Sequence, residues 1–416
     1  MERKWRQSTA KRNPSGPQFT QGVIDFDFSV GSNTVFIPSK SYFRIGVKIT
    51  DGAAPPQAPT QAAGLAFANF CPGNLFDNCF FFAGGQNVSS CINYGPQAHA
   101  LSYRLRKSGA WMNSIGKDAY GICASRQYRT VLVSTDTPGE DQMPSVPSTD
   151  SSDQSIRYFI YQPPLGIMEH SKPMGAGQYR FQFNPASNFA KACVESDADK
   201  VHGAGNDYQF SVDSMELYIC EEKMDVSPTG SDVLHLLEHQ VQSKKMTQAS
   251  SVDFTVPPST KALTIFVQSG QAGIDNRYPP SKFTVANGIH KKLKQLQITY
   301  GNTTKPPTNW TSGTGAHTQK MQQRYLDTQI ESGQAFSSGG CETLADWQLN
   351  GPIYHYSWVR DANDRSTQVQ ISAMFDEADR TAANDNDNIF LVSHYTRSVQ
   401  IDVEAGFISQ VQSLNI

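Results

Sequence analysis

Two tandem all-β sandwiches are what this sequence predicts, and three observations carry the prediction. The composition is rich in turn residues, with 31 Gly and 23 Pro in 416 residues and no long Leu/Ala/Glu/Lys tracts. Apolar residues recur in short alternating runs, as in Tyr42-Phe43-Arg44-Ile45-Gly46-Val47-Lys48-Ile49. A ten-residue segment near the start also reappears in the second half. Pro38-Ser39-Lys40-Ser41-Tyr42-Phe43-Arg44-Ile45-Gly46-Val47 lines up with Pro258-Ser259-Thr260-Lys261-Ala262-Leu263-Thr264-Ile265-Phe266-Val267, and Pro, Ser, Ile and Val match at one offset of 220. Two copies half a chain apart point to a duplicated domain, since a solenoid would need several short repeats.

Composition bounds the rest. The length accommodates two domains of about 200 residues, and 38% hydrophobic with 11% aromatic content is enough for two cores. Lys plus Arg (35) nearly balances Asp plus Glu (38), so no domain-wide basic footprint for nucleic acid exists. Met1-Glu2-Arg3-Lys4-Trp5-Arg6 lacks the apolar core of a secretory signal. No run of about 18 apolar residues marks a membrane helix. The expectation is synthesis inside a cell without signal peptide or transmembrane segment. Seven cysteines, an odd number with no Cys-x-x-Cys pair, read as buried reduced thiols. Asn87-Val88-Ser89, Asn302-Thr303-Thr304 and Asn309-Trp310-Thr311 match the glycosylation pattern and read as chance matches.

Taken in order, residues 1–17 read as a basic N-terminal arm: Arg3, Lys4, Arg6, Lys11 and Arg12 against Glu2, without periodicity. Residues 18–224 read as the first sandwich. After the repeat strand come a Pro/Ala/Gln loop from Asp51 to Gly64, a strand through Phe76–Phe82, a Gly84-Gly85 turn, and a short helix over Gln97–Lys107. Residues 134–155, rich in Ser, Thr, Asp and Pro, read as a long exposed loop; strands resume at Ile156–Tyr161, Gly177–Asn184 and Tyr208–Cys220. Residues 225–246 read as a linker helix, capped by Ser231 or Asp232 and carrying Leu234, Leu237 and Val241 at helical spacing. Residues 247–408 then repeat the order of the first half. The repeat strand is followed by Leu293–Tyr300, a Gly301-Asn302 turn, a helix over Thr318–Ile330, and strands at Tyr354–Val359, Gln368–Phe375, Asn388–His394 and Ser398–Val403. Residues 409–416 read as a C-terminal tail. Eight strands per half fit a pair of jelly rolls, with short helices in the loops and linker.

At this point the chain resembles the double jelly-roll major capsid proteins of virophages, Polinton-like elements and related DNA viruses. Four stretches carry the likeness: Asn74-Leu75-Phe76 through Phe82-Ala83-Gly84-Gly85-Gln86-Asn87-Val88-Ser89; Tyr94-Gly95-Pro96-Gln97-Ala98-His99-Ala100-Leu101; Phe254-Thr255-Val256-Pro257-Pro258-Ser259-Thr260 to Gln268; and Leu296-Gln297-Ile298-Thr299-Tyr300-Gly301-Asn302 to Pro306-Pro307 with Tyr325. The resemblance implies a homotrimer whose six jelly rolls form a pseudo-hexameric capsomer tiling an icosahedral virion shell. It implies neighbouring capsomers and penton or minor capsid proteins as partners. The basic arm and the tail Ser409–Ile416 would face genome, lipid or minor capsid proteins on the inner side. The competing readings are a minor capsid or spike protein of similar fold and a carbohydrate-binding two-sandwich protein.

Two motifs invite a chemical reading. His235-Leu236-Leu237-Glu238-His239 has the H-x-x-E-H spacing of a zinc site if it is helical. It stands in a Pro/Gly/Ser-flanked linker without a recognisable third ligand, so the linker reading is preferred. Asn384-Asp385-Asn386-Asp387-Asn388 resembles a cation-binding run but lacks the Gly and distal Glu of such a loop, and reads as a solvated turn. No G-x-S-x-G elbow, Walker loop or G-x-G-x-x-G fingerprint occurs. No catalytic residue, metal site or cofactor is therefore assigned, and the chain is read as a structural protein, not an enzyme.

Overall fold

The computed structural model of the chain describes residues 3–9, 22–50, 66–67, 70–122, 129–131, 142–143, 156–186, 194–195, 209–225, 230–246, 249–268, 293–307, 317–337, 342–349, 351–359, 366–375, 388–404 and 407–414. The first half contains β1 (Arg3–Thr9), β2 (Ile24–Val30), β3 (Thr34–Phe36), β4 (Tyr42–Thr50), β5 (Ala66–Phe67), β6 (Phe76–Ala83), β7 (Gln86–Cys91), β8 (Arg129–Val131), β9 (Gln142–Met143), β10 (Ile156–Tyr161), β11 (Gly177–Pro185), β12 (Val194–Glu195) and β13 (Gln209–Lys223). The second contains β14 (Gly230–Lys245), β15 (Ala249–Thr255), β16 (Thr260–Gln268), β17 (Leu293–Tyr300), β18 (Thr303–Lys305), β19 (Tyr354–Ser357), β20 (Gln368–Phe375), β21 (Asn388–Glu404) and β22 (Phe407–Leu414).

Strand order identifies each half as a jelly roll. The first pairs β1-β13-β4-β10 in one sheet and β2-β11-β6-β7 in the other; the second pairs β14-β21-β16-β19 and β15-β20-β17-β18. In each half the first of eight strands lies beside the last, and the second beside the seventh, which is the Greek-key winding of a jelly roll. The short strands β5, β8, β9 and β12 form a separate small sheet. β3 extends the first roll's sheet on β13, and β22 extends the second roll's sheet on β21.

The sequence repeat marks the same strand in both rolls. Ile45 stands between Met215 of β13 and Phe159 of β10, while Ile265 stands between Leu391 of β21 and Tyr354 of β19. Side chains alternate across a strand, so Phe43, Ile45 and Val47 enter one core, and Leu263, Ile265 and Val267 enter the other, all essentially inaccessible to solvent. The first core is aromatic: Phe43 packs edge-on against Phe26, Phe181 and Phe183, with ring centroids 5.2, 5.2 and 4.9 Å apart. The expected helices form at Gly95–Arg104 and His317–Glu331, each between the fifth and sixth strands of its roll. Cys71, Cys79, Cys91 and Cys220 are buried.

Three expectations are corrected. Residues 225–246 do not hold a linker helix: Gly230–Lys245 is the first strand of the second roll, paired with β21 over its whole length. Leu234 and Leu236 are buried and His235 and Leu237 exposed, a period-2 pattern that helical spacing of Leu234, Leu237 and Val241 concealed. The pairing decides the matter, because long-range ladder bonds override a weak local helix preference. The N-terminal arm is likewise partly a strand. β1 pairs antiparallel with β13 and is the first strand of the first roll. The C-terminal tail is not free: β22 pairs with β21, and Ile408 N–H donates to Ala176 O at 2.8 Å, tying the chain's end to the first roll. In addition, the two strands expected at 388–394 and 398–403 are one continuous strand, β21.

Because the repeat positions are core positions, truncating either copy should be costly. Phe43→Ala is expected to lower stability by about 3–5 kcal/mol and Leu263→Ala by about 2–5 kcal/mol. Urea unfolding of the full chain checks both; a loss below 1 kcal/mol at either position would contradict the core assignment.

Candidate functional site: the junction between the two rolls

The second roll's outer sheet face is covered by the first roll, and the covering residues are polar as well as apolar. Helix Gly95–Arg104 begins with Pro at its first turn, where a missing N–H costs nothing. All ten of its residues are buried. Tyr94 precedes it; its ring meets Phe390 edge-on at 5.3 Å and its hydroxyl lies 2.7 Å from Ser243 Oγ. Arg104 ends the helix in a closed ion pair: Nε is 2.8 Å from Glu342 Oε1, and Nη2 donates to Glu342 Oε2 and to Gly351 O, both at 2.9 Å. Neither side chain of the pair is more than 4% exposed. Gln334 Nε2 donates to the carbonyls of Arg104 and Lys107, at 3.1 and 3.2 Å, which ties the second roll to the helix end.

Arg106, two residues on, pairs with Glu169 and approaches the second roll's sheet. There a chain of hydrogen bonds crosses all four strands. Arg106 Nη2 is 3.1 Å from His239 Nε2; His239 Nδ1 is 2.9 Å from His394 Nδ1; His394 Nε2 is 2.7 Å from Thr264 Oγ1; Thr264 Oγ1 is 2.8 Å from His355 Nδ1. A guanidinium has only donors, which fixes the protons of the series as far as Thr264. His239 accepts at Nε2 and donates from Nδ1; His394 accepts at Nδ1 and donates from Nε2 to Thr264, whose rotatable hydroxyl also meets His355 Nδ1. His239 and His394 are neutral in this series, and a second proton on either would point a donor at a donor. Burial lowers the pKa of all three, His239 and His394 well below the ordinary value and His355 to about 4. His99, enclosed by Phe70, Tyr103 and Tyr161, is lowered by burial to about 3.

Glu238 opposes these groups. Its buried carboxyl is pushed up to about 7 by desolvation, although Ser89 donates its hydroxyl at 2.5 Å and Arg397 partly offsets the shift. Gly166 allows this approach: a Cβ there would lie 2.7 Å from Leu237 O and 3.1 Å from Glu238 Oε1.

The zinc reading of His235-Leu236-Leu237-Glu238-His239 required a helix. On strand β14 the two histidines are about 13 Å apart at about 3.3 Å per residue, too far to share an ion. His235 Nδ1 instead lies 2.8 Å from Ser398 Oγ. Among the described residues no group of three or more His, Cys, Asp or Glu could hold a metal. The Asn384–Asn388 run lies outside the described residues except for Asn388, which opens β21.

Of the five cations of the basic arm, the structure describes Arg3, Lys4 and Arg6. Arg3 Nε donates to Glu222 Oε1 at 2.7 Å, and Arg6 Nη2 donates to Glu221 Oε1 at 2.7 Å and Ser29 O at 2.6 Å. Their charges are answered by β13. Lys4 is exposed, and Lys11 and Arg12 lie outside the described residues. None of the junction residues was identifiable as a group from sequence. Their only mark there is a single polar residue interrupting an apolar run, as Thr264 does between Leu263 and Ile265.

Two predictions follow from the buried charges. Arg104→Ala strands Glu342 without its partner and is expected to cost about 3–5 kcal/mol, while Arg104→Met with Glu342→Leu recovers most of the loss; denaturant midpoints compare the three chains. For acid sensitivity, the unfolded chain binds protons at histidine below about 6.5 while the folded chain does not until pH is far lower, so each imidazole removes up to about 1.4 kcal/mol per pH unit. Glu238 acts in the opposite sense, its contribution being full below its unfolded pKa and lost as pH rises through about 7. Four histidines outweigh one carboxyl, so the melting temperature should fall as pH drops from 6.5 to 4.5. A flat or rising profile would contradict the neutral hydrogen-bond chain.

No protein-family model matches the sequence, and no curated protein matches it. Solved structures do. A chain from the 3.5 Å cryo-EM structure of the Sputnik virophage matches with a TM-score of 0.64 at 13% identity, over 100% of this chain and 88% of that one. The mavirus major capsid protein matches with a TM-score of 0.58 at 10% identity, over 99% and 90%. A chain of the PBCV-1 virus capsid matches with a TM-score of 0.50 at 11% identity, over 99% and 97%. At these identities the likeness is one of fold, and it spans both halves: the chain has the double jelly-roll fold of these viral structures.

Proposed function

We propose that this chain is the major capsid protein of a DNA virus or virus-like element, assembling as a homotrimer whose six jelly rolls form a pseudo-hexameric capsomer of an icosahedral shell. The observation that carries the proposal is the duplicated roll joined by a buried, directional junction. A ring of six equivalent sides needs a fixed angle between consecutive rolls, and the Arg104–Glu342 pair with the histidine chain supports such a fixed angle. Whole-length similarity to the mavirus major capsid protein supports the same role. The mechanism is self-assembly rather than catalysis, and the site of action is the virion. Neighbouring capsomers and penton or minor capsid proteins are the proposed partners. Of the basic residues assigned to genome or lipid contact, Arg3 and Arg6 are paired with glutamates, so that proposal narrows to Lys4, Lys11 and Arg12.

Light scattering on the purified full chain should give three times its 45.8 kDa mass, with hexagonal outlines by negative-stain imaging. A folded chain that stays monomeric at every concentration would overturn the proposal.

A further inference from the structure

The duplication makes a prediction about surfaces that the single chain leaves open. Within the chain, the segment between the fifth and sixth strands of the first roll covers the outer face of the second roll's β14-β21-β16-β19 sheet, through Tyr94 on Phe390 and Arg106 on His239. The equivalent face of the first roll is left partly open, with Trp5 and Tyr158 exposed and Tyr42, Arg44 and Tyr218 half-buried. Strand register identifies it position by position: Tyr42 stands where Ala262 does, Arg44 where Thr264 does, and Tyr218 where His394 does. It is an aromatic surface. Tyr42 stacks on Tyr218 at 5.1 Å, Trp5 lies 5.7 Å from Tyr42, and the Arg44 guanidinium sits 3.9 Å over Tyr158. Trp5 and Tyr158 are 47% and 42% exposed.

The complementary element is exposed too. In the second roll the segment between the fifth and sixth strands carries helix His317–Glu331. Met321, Arg324 and Thr328 face inward, while Leu326 and Ile330, one helical turn apart, are 50% and 42% exposed. Phe336 follows at 81% exposed.

We propose that Leu326, Ile330 and Phe336 of one copy of this chain cover the Trp5, Tyr42, Tyr158 and Tyr218 face of the next copy. The first roll's segment and the second roll's face are already joined within the chain. The outward side of the second roll's segment, whose Gln334 and Glu342 already hold the first roll's helix end, and the first roll's face are what remains, and they are the two halves of the same contact. Such a contact is heterologous, and it closes into a ring once the repeated rotation completes a turn. Aromatic residues and Arg are the side chains that dominate interface energies, and this face is made of them. A second copy is the occupant because the chain itself displays this mode of covering at the equivalent face.

The inference rests on the trimer reading, and its test separates the two. Wild-type chain, Leu326→Asp with Ile330→Asp, and Tyr158→Asp are compared by light scattering and thermal melting. Expected is a trimeric wild type and two folded variants whose association is weakened at least tenfold. A trimeric wild type with either variant still trimeric at wild-type affinity overturns this contact and leaves the trimer standing; a monomeric wild type overturns both. A photo-cross-linking residue at position 336 of the otherwise unaltered chain gives an independent readout. It should label residues 3–9, 42–44, 156–161 or 216–218 of another copy. Labelling confined to any other region overturns the contact.

Discussion

Two guanidinium groups, buried Arg104 and partly buried Arg106, lie between the jelly rolls, and the surrounding structure is arranged to accept from them. A guanidinium donates and never accepts, so each neighbour must present a lone pair. Arg104 meets a carboxylate and a carbonyl of the second roll. Arg106 meets a carboxylate of the first roll and an imidazole of the second. From that imidazole the requirement propagates across three strands to Thr264, because an acceptor at one ring nitrogen leaves a donor at the other. The result is directional. An apolar junction could slide at small cost; this one loses hydrogen bonds or strands a charge if the rolls shift.

The two rolls keep the same winding and differ in what they show their neighbours. Core positions on the repeat strand stay large and apolar in both, since a change there opens a cavity in a close-packed interior. The outer positions of the same strand diverge: Tyr42, Arg44 and Gly46 in the first roll, Ala262, Thr264 and Phe266 in the second. Gly46 leaves room for Tyr158, whose ring would meet an added Cβ at 2.9 Å. Phe266 instead stacks on Phe390 under the first roll's helix. Duplication thus preserved the scaffold while the exposed faces adapted to different surroundings.

Most of the architecture was legible because core strands carry alternation in short apolar runs and turns carry Gly. The repeat, the two helices and most of the strands were found that way. The misread elements share one cause. β1 and β14 are the first strands of their rolls, each partnered by the last strand more than 140 residues away in sequence. Their residues are mixed, Arg3-Lys4-Trp5-Arg6 in one and Leu234-His235-Leu236-Leu237 in the other, so local pattern suggested an arm and a helix. Only the distant partner makes them strands. The junction was illegible for a related reason, since Arg104, Thr264, Glu342, His355 and His394 come from separate elements and have no common spacing.

By itself the sequence determined the fold class, the two-fold plan and the register between its halves, because these follow from local periodicity and from identity at a constant offset. Tertiary structure alone decided that Arg3–Thr9 of the arm, Gly230–Lys245 of the supposed linker helix and Phe407–Leu414 at the tail are sheet strands, that the H-x-x-E-H spacing is spread along a strand, and that buried charges lock one roll to the other. Those outcomes depend on which distant backbone edges and polar groups meet. Hydrogen-bond partners across hundreds of residues leave no periodic trace in the chain that encodes them.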